Sequence, residues 1–359
     1  MTRTVDYSAL LFPVTRAEIT AFKTELKASS RSRWVIAMLP TVFGGIVLAL
    51  FTLVLFIVIS RFAFQAVTVV AEDPTPGAIG ALVFGGIVAV IPFVIIALLW
   101  RALFGGKSWE RWLRLTRFAA ANGFAFTPQV ANPELAGAIF SQGHAREAIN
   151  RLTASTGRHL EIGNYRYKTG SGKEERTHDW GYLALHLDRT LPHMVLDSRA
   201  NNGLFGGSNL PAAFSKNQVL SLEGDFDEYF TLYCPREYER DALYVFTPDL
   251  MALLIDNAAP FDVEIVDDWM FVYSARPFLS VDPAVYQRLF RIVDTVGEKT
   301  LSQSDRYVDD RIGEFAPNLV APQGRRLKRG SSVGIVLVII VIVAVVVLPQ
   351  LIGAIGFGG

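Results

Sequence analysis

The chain has 359 residues, 51% of them hydrophobic, with 34 basic and 34 acidic side chains and a formal net charge of zero. That length admits more than one domain, and a single cysteine, Cys234, excludes an intramolecular disulfide and agrees with a reducing compartment.

In chain order, the first element is a short amphipathic helix in an N-terminal arm, 1–33. Thr15 and Glu18 have capping-box spacing, and Ile19, Phe22 and Leu26 share one face. Three runs without Asp, Glu, Lys, Arg or His follow, at 34–60, 79–100 and 333–357. Each is long enough to cross a hydrocarbon core of about 30 Å as a helix, so the sequence predicts a hairpin of two spans within 34–104 and a third at the C-terminus. The hexapeptide VFGGIV occurs in both of the first two spans, at 42–47 and 83–88, and its paired glycines suit close helix contact.

Flanking charge gives an orientation. Arg16, Lys23, Lys27, Arg31 and Arg33 precede the first run; Arg101, Lys107, Arg111, Arg114 and Arg117 follow the second; Arg325, Arg326, Lys328 and Arg329 precede the third. By the positive-inside bias the expectation is a multi-pass cell-membrane protein, with the N-terminus and 105–332 cytoplasmic and the C-terminus outside. The partners expected are the bilayer itself, anionic lipid headgroups at the four basic residues 325, 326, 328 and 329, and a protein partner or a second copy. The basic run GRRLKRG at 324–330 is read as a topology signal and not as a nucleic-acid site.

The central segment, 105–303, reads as an α+β domain. A helix over 107–121 ends at Asn122-Gly123. It either lies on a lipid surface through Trp109, Trp112 and Leu113 or docks on its own domain. Alternation predicts strands in HLEIGNYRYKT, THDWGYLALHLDR, PHMVLDS, FDVEIVD and WMFVYSA. Gly170-Ser171-Gly172 turns the first hairpin, and Asp267-Asp268 joins the last two strands. ALYVF at 242–246 reads as another strand. Thr247 caps a helix with Pro248 first and Leu250, Met251, Leu253 and Leu254 inward. Asp282 caps one starting at Pro283, with Val285, Leu289, Ile292 and Val296 as its stripe. This order fits an antiparallel sheet with flanking helices; 304–332 is a polar tether.

Chemistry is sparsely signalled. TGSGKEE at 169–175 is not a phosphate loop: Tyr167 stands where the first glycine belongs and Glu174 follows the lysine. Histidines 144, 159, 178, 186 and 193 form no zinc pattern, so neither metal nor cofactor is expected; His178, His186 and His193 fall on neighbouring strands. His186 shares a strand face with Tyr182 and Ala184, as on a partly solvated sheet surface. Two candidates stand out. One is a loop, Asn201, Asn202, Gly206, Gly207, Ser208 and Asn209, of the flexible kind that carries binding sites. The other is an acidic pair at the 223–241 turns, Glu223 or Asp225 with Asp241, suited to acid–base or metal work.

The corner at 223–254 is similar to a family of bacterial membrane proteins classed as a domain of unknown function. The matching residues are Glu223, Phe226, Phe230, Leu232, Tyr233, Ala242, Tyr244, Phe246, Thr247, Pro248, Met251 and Leu254. The resemblance implies two N-terminal spans and a cytoplasmic domain, and brings no activity. The reading is a non-enzymatic interaction or sensing module; the alternative is a membrane-bound enzyme, hydrolase-like, with its site between the 200–211 loop and the 223–241 turns.

Overall fold

The computed structural model describes residues 4–29, 107–202, 208–278, 281–305, 307–312 and 318–329, with isolated positions between 50 and 94. Two compact units are present, 12–114, and 1–11 together with 115–359.

In the first unit, α2 (Arg16–Ser29) opens with the capping box read from sequence: Thr15 N donates to Glu18 Oε2 at 2.7 Å and Glu18 N to Thr15 Oγ1 at 3.3 Å. Ile19, Phe22 and Leu26 are half-buried along one face. Lys23 Nζ lies 5.2 Å from the centre of the Trp109 ring, which meets Trp112 edge-on.

The multi-pass membrane assignment is corrected here. Among the described residues no helix is long and apolar enough to cross a membrane. The longer described helices are α2 and α3 (Lys107–Ala121), of 14 and 15 residues. At about 1.5 Å per residue, such helices are roughly 22 Å long and fall short of a 30 Å core, and both carry charge throughout. The runs at 34–60, 79–100 and 333–357, with both VFGGIV copies, lie for the most part outside the described residues. The fold that is described is α+β.

The second unit is built on seven strands, antiparallel at every pairing. They are β1 (Phe124–Ala131), β2 (His144–Ala154), β3 (Leu160–Thr169), β4 (Arg176–Ser198), β5 (Val219–Leu220), β6 (Phe230–Tyr233) and β7 (Asp262–Ser274). The 23-residue β4 is the spine. On one edge it pairs with β3 through 176–185 and with β6 through 195–198; on the other, β7 follows it from Gly181 to Leu196. Two pairs of strands separate in the sequence reading are therefore continuous. Their junctions coincide: pairing runs His186↔Trp269, then Leu191↔Asp267, then Met194↔Ile265, with Asp267 left-handed at φ 53°. The Asp-Asp step is a bulge in a bent ribbon.

One face of the sheet is covered by helices. Leu160, Ile162, Leu183, Leu185, Val263, Ile265, Met270 and Val272 join Leu115 and Phe118 of α3, Leu250 and Leu254 of α6 (Pro248–Ala258), and Leu289 and Ile292 of α7 (Pro283–Ile292) in one cluster. Thus α3 docks on its own domain, Phe118 lying 5.1 Å from Tyr286 and 6.4 Å from Phe290. Asn122 ends α3 and pins the N-terminal segment: Asp6 N donates to its Oδ1 at 2.8 Å, and its Nδ2 donates to Asp6 O at 2.9 Å. Asp282 Oδ1 caps α7 by accepting from Ala284 N at 3.0 Å. Residues 242–246, expected as a strand, instead close a helix, α5 (Glu239–Val245). Ala242, Val245 and Phe246 are buried while Leu243 and Tyr244 face out, a helical period that a short apolar run cannot reveal in advance.

The other face is covered by chain without long helices. Tyr165, Tyr182, Phe271 and Tyr273 pack against Ile139, Phe140, Leu210 and Leu327. The basic run belongs to this cover. Phe214 bridges Arg329, Ser215 N donates to Lys328 O at 3.1 Å, and the Gln218 amide pairs with both backbone groups of Lys328 at 2.8 and 2.9 Å. Arg326 forks onto Asp267 at 2.7 and 2.8 Å, and Arg325 Nε donates to Val320 O at 2.8 Å.

Candidate binding cleft

At one end of the second face, backbone irregularity decides which side chains meet. In β2, left-handed Asn150 (φ 52°) shifts the register from Ile149↔Asn164 to Leu152↔Ile162. Leu152 therefore enters the helical core, and Arg151 takes the opposite face. There it meets Glu161, 1% exposed, with Nη2 and Oε2 2.8 Å apart. The approach is an ion pair without hydrogen-bond alignment: Glu161 Oε2 and Arg151 Nε are buried and make no hydrogen bond. On the other side, Tyr182 donates its hydroxyl to Glu161 Oε1. Gly163 makes that reach feasible, since a Cβ there would sit 2.9 Å from the Tyr182 hydroxyl. Burial, then the Glu161 charge, holds the Tyr182 phenol far above its usual range.

Next to Glu161, His159, His186 and Trp269 form a row across β4 and its neighbours. His186 pairs with Trp269 in register, and His186 N donates to His159 O at 3.0 Å. Both imidazoles stand perpendicular to the indole, at 5.3 and 5.1 Å between ring centres. His186 Nε2 lies 3.1 Å from Asp268 Oδ2. Arg158 grips Asp188 at 2.8 and 2.7 Å and the His186 carbonyl at 3.0 Å, so its guanidinium holds the Asp188 carboxyl below the usual range. With Glu134, Leu135 and Gly157 at the rim, these residues line an open cleft of about 720 Å³, within the size range of small-molecule sites.

The candidate loop lies elsewhere on this face. Asn201 and Ser208 converge on two buried carboxyls, Asp262 on β7 and Asp197 on β4. Asp262 accepts from Ser198 N at 2.8 Å and Asn201 Nδ2 at 3.1 Å. Burial, opposed by those two bonds and reinforced by the Asp197 charge, pushes Asp262 up to about 7. Burial also raises Asp197, while a hydrogen bond from Ser208 pulls it back. With its amide nitrogen turned toward them, Asn202 donates to Ser198 O and Asp197 Oδ1, each at 3.3 Å. Asn209 is half-buried and its amide atoms are without a partner. Gly206 and Gly207 lie outside the described residues.

The residues of the acidic pair have different surroundings. Glu223 and Asp225 are exposed in their turn. Asp241 accepts from Tyr307 Oη at 2.8 Å and Arg311 Nη1 at 3.1 Å. Arg311 also binds Asp309 at 3.1 Å and stacks 3.9 Å above Tyr238, so Asp241 ties 307–312 to α5. His178, His186 and His193, expected on neighbouring strands, instead all lie along β4 and stay apart. His178 stacks on Tyr167 at 4.7 Å. His193 accepts from Leu327 N through Nδ1 at 3.0 Å and therefore donates through Nε2 to Glu264 at 2.7 Å. Among the described residues no group of three or more His, Cys, Asp or Glu is placed to hold a metal.

Sequence reasoning passed over Arg151, Glu161, His159 and Trp269 as a group. No local signal marked Glu161: in LEIG it takes the polar position of an ordinary alternation, opposite Leu160 and Ile162, as an outward strand residue would.

No family model matches the chain. No curated protein matches it. Among solved structures, the crystal structure of the mycobacterial trehalose monomycolate transport factor A is similar over 54% of this chain and 94% of its own, with 14% sequence identity and a TM-score of 0.36. Nothing is transferred from it.

Proposed function

We propose that the chain is a non-enzymatic binding or sensing module whose small ligand occupies the cleft at Trp269. The observation that carries this reading is the half-buried indole, fixed between two perpendicular imidazoles beside a buried carboxylate with an unbonded oxygen. Aromatic platforms with a few convergent polar groups orient ligands. The lining residues include no Ser, Thr, Cys or Lys to act as nucleophile. Glu161, Asp188 and Asp268 each already face a basic side chain.

The enzyme reading has one observation in its favour, the Asp197–Asp262 pair beneath the 200–211 loop. Those residues are 4% and 0% exposed, and each is already engaged, Asp262 by Ser198 N and Asn201 and Asp197 by Ser208. Binding is therefore preferred.

The test is a thermal-shift panel on the full chain with nucleotides, sugars, amino acids and polyamines. A ligand at 100 times its Kd stabilises by about 2.7 kcal/mol. The expected hit loses its shift in Trp269→Leu and keeps it in Asp262→Asn. A hit whose shift survives Trp269→Leu would move the site away from the cleft.

A further inference from the structure

We infer that the cleft takes a cationic group, an ammonium or guanidinium, seated against the Trp269 indole; this rests on the cleft being the ligand site. The reason is an imbalance between spare acceptors and committed donors. Four carboxylates face the cleft or its edge, Glu134, Glu161, Asp188 and Asp268, against two guanidiniums, Arg151 and Arg158. Even with His159 and His186 both protonated, the acids are not outnumbered.

Both guanidiniums are ion-paired: Arg151 faces Glu161 Oε2 at 2.8 Å, its buried Nε making no hydrogen bond. Arg158 makes three hydrogen bonds within the protein, two to Asp188 and one to the His186 carbonyl. An anionic ligand would have to break that bidentate pair. Of the acceptors, Glu161 and Asp268 each face a basic side chain, Glu161 Oε2 lying 2.8 Å from Arg151 Nη2, but keep hydrogen-bonding capacity. Asp268 turns one oxygen to His186 and its side chain is 41% exposed, Glu134 is exposed at the rim, and Glu161 Oε2 makes no hydrogen bond although Glu161 is 1% exposed. A buried carboxylate oxygen left unbonded calls for an N–H donor, and an indole face attracts a cation by its quadrupole. One group supplies both needs only if it is a positively charged N–H donor. His159, whose Nε2 stands 3.6 Å from Glu161 Oε2 with a 40% exposed side chain, is the side chain that must swing aside for direct contact with Glu161.

The test uses the full chain and follows the imidazole Cε1–H resonances of His159 and His186, assigned with His159→Gln and His186→Gln. Arginine amide and ethylammonium are titrated, with inorganic phosphate and glycerol as the anionic and neutral probes. The expected result is a saturable shift of both resonances with the cations alone. Affinity should fall about tenfold or more in Trp269→Leu, be largely kept in Trp269→Phe, and fall several-fold in Asp268→Asn, a surface change that leaves the fold intact. Phosphate or glycerol moving the same resonances would overturn the cation while keeping the cleft as the ligand site. Failure of every probe to move them would overturn both readings. Shifts that persist in Trp269→Leu and Asp268→Asn would also overturn the inference.

Discussion

On the helical face of the sheet, Leu183, Leu185, Val263 and Ile265 meet Leu250, Leu289 and Ile292. On the opposite face, Tyr182, Phe271 and Tyr273 share their burial with Glu161, Asp262 and Glu264, each no more than 1% exposed. The first arrangement is stabilised by removing hydrocarbon from water, and any well-fitting apolar side chain serves. The second depends on partners, because a buried carboxylate without them is strongly destabilising. Glu264 shows the requirement met: it accepts from Ala138 N at 2.7 Å, Tyr273 Oη at 2.6 Å and His193 Nε2 at 2.7 Å. Glu161 shows it met on one oxygen only. That difference within one face separates a fully hydrogen-bonded carboxylate from one whose second oxygen faces Arg151 at 2.8 Å without a hydrogen bond.

The contrast can be broken by substitution. Glu264→Ala should be the most damaging change, about 3–5 kcal/mol in chemical denaturation of the full chain, because it strands three donors, two of them buried. Leu289→Ala on the helical face should cost about 2–5 kcal/mol, by lost transfer and a cavity. The two should differ in kind: Leu289→Val restores much of its loss, while Glu264→Leu does not. Equal rescue at both sites would erase the distinction between the faces.

Asp262 sharpens the comparison through pH. Its folded value of about 7 lies above the ordinary 3.8, so in that window the folded state keeps a proton that the unfolded chain has released. Its contribution is full below pH of about 4 and falls as pH rises toward 7. The loss should be about 2 kcal/mol, less than a three-unit shift implies, since buried charges are relieved by relaxation and water entry. Denaturation midpoints of Asp262→Asn should lack this slope; an unchanged slope would assign it to other groups. Arg326→Ala should have the smallest effect, within about 1 kcal/mol, because its ion pair with Asp267 is solvent-exposed on a 54% exposed side chain. A larger loss would mean that the pair, and not the Leu327 and Lys328 backbone bonds, fastens this segment to the sheet.

Much of the helical face was legible in the sequence. The Asp282–Pro283 and Thr247–Pro248 steps mark helix starts, Asp282 by a side-chain cap and Thr247 by position alone, since its hydroxyl makes no hydrogen bond, and Leu183, Leu185 and Leu187 declare their side of β4 by alternation. What was not legible depends on register. Nothing local says that Asn150 slips β2 by one residue and so delivers Arg151 to Glu161, or that Gly163 clears the path of Tyr182. Trp269 and His159 are 110 residues apart, and only β4, lying between their strands, brings them together. The 200–211 loop was visible from its Asn and Gly content, but the carboxyls that Asn201 and Ser208 meet were not, because Asp197 lies at the end of β4 and Asp262 opens β7, and both resemble ordinary strand ends. ALYVF failed for a different reason: five apolar residues fit both periods, and the packing of Tyr238 decided for a helix.

The length of β4 also has a consequence for how the chain is made. Its partner on one edge, β3, precedes it, but β7 on the other is not complete until Ser274, some 76 residues after Ser198. At roughly 5–20 residues per second of synthesis, that edge of the spine waits on the order of 4–15 s without its strand. During this interval the nascent chain presents an unpaired β-edge, the kind of surface that invites wrong pairing. The vulnerable interval for this edge falls during synthesis, before β7 has arrived to close it.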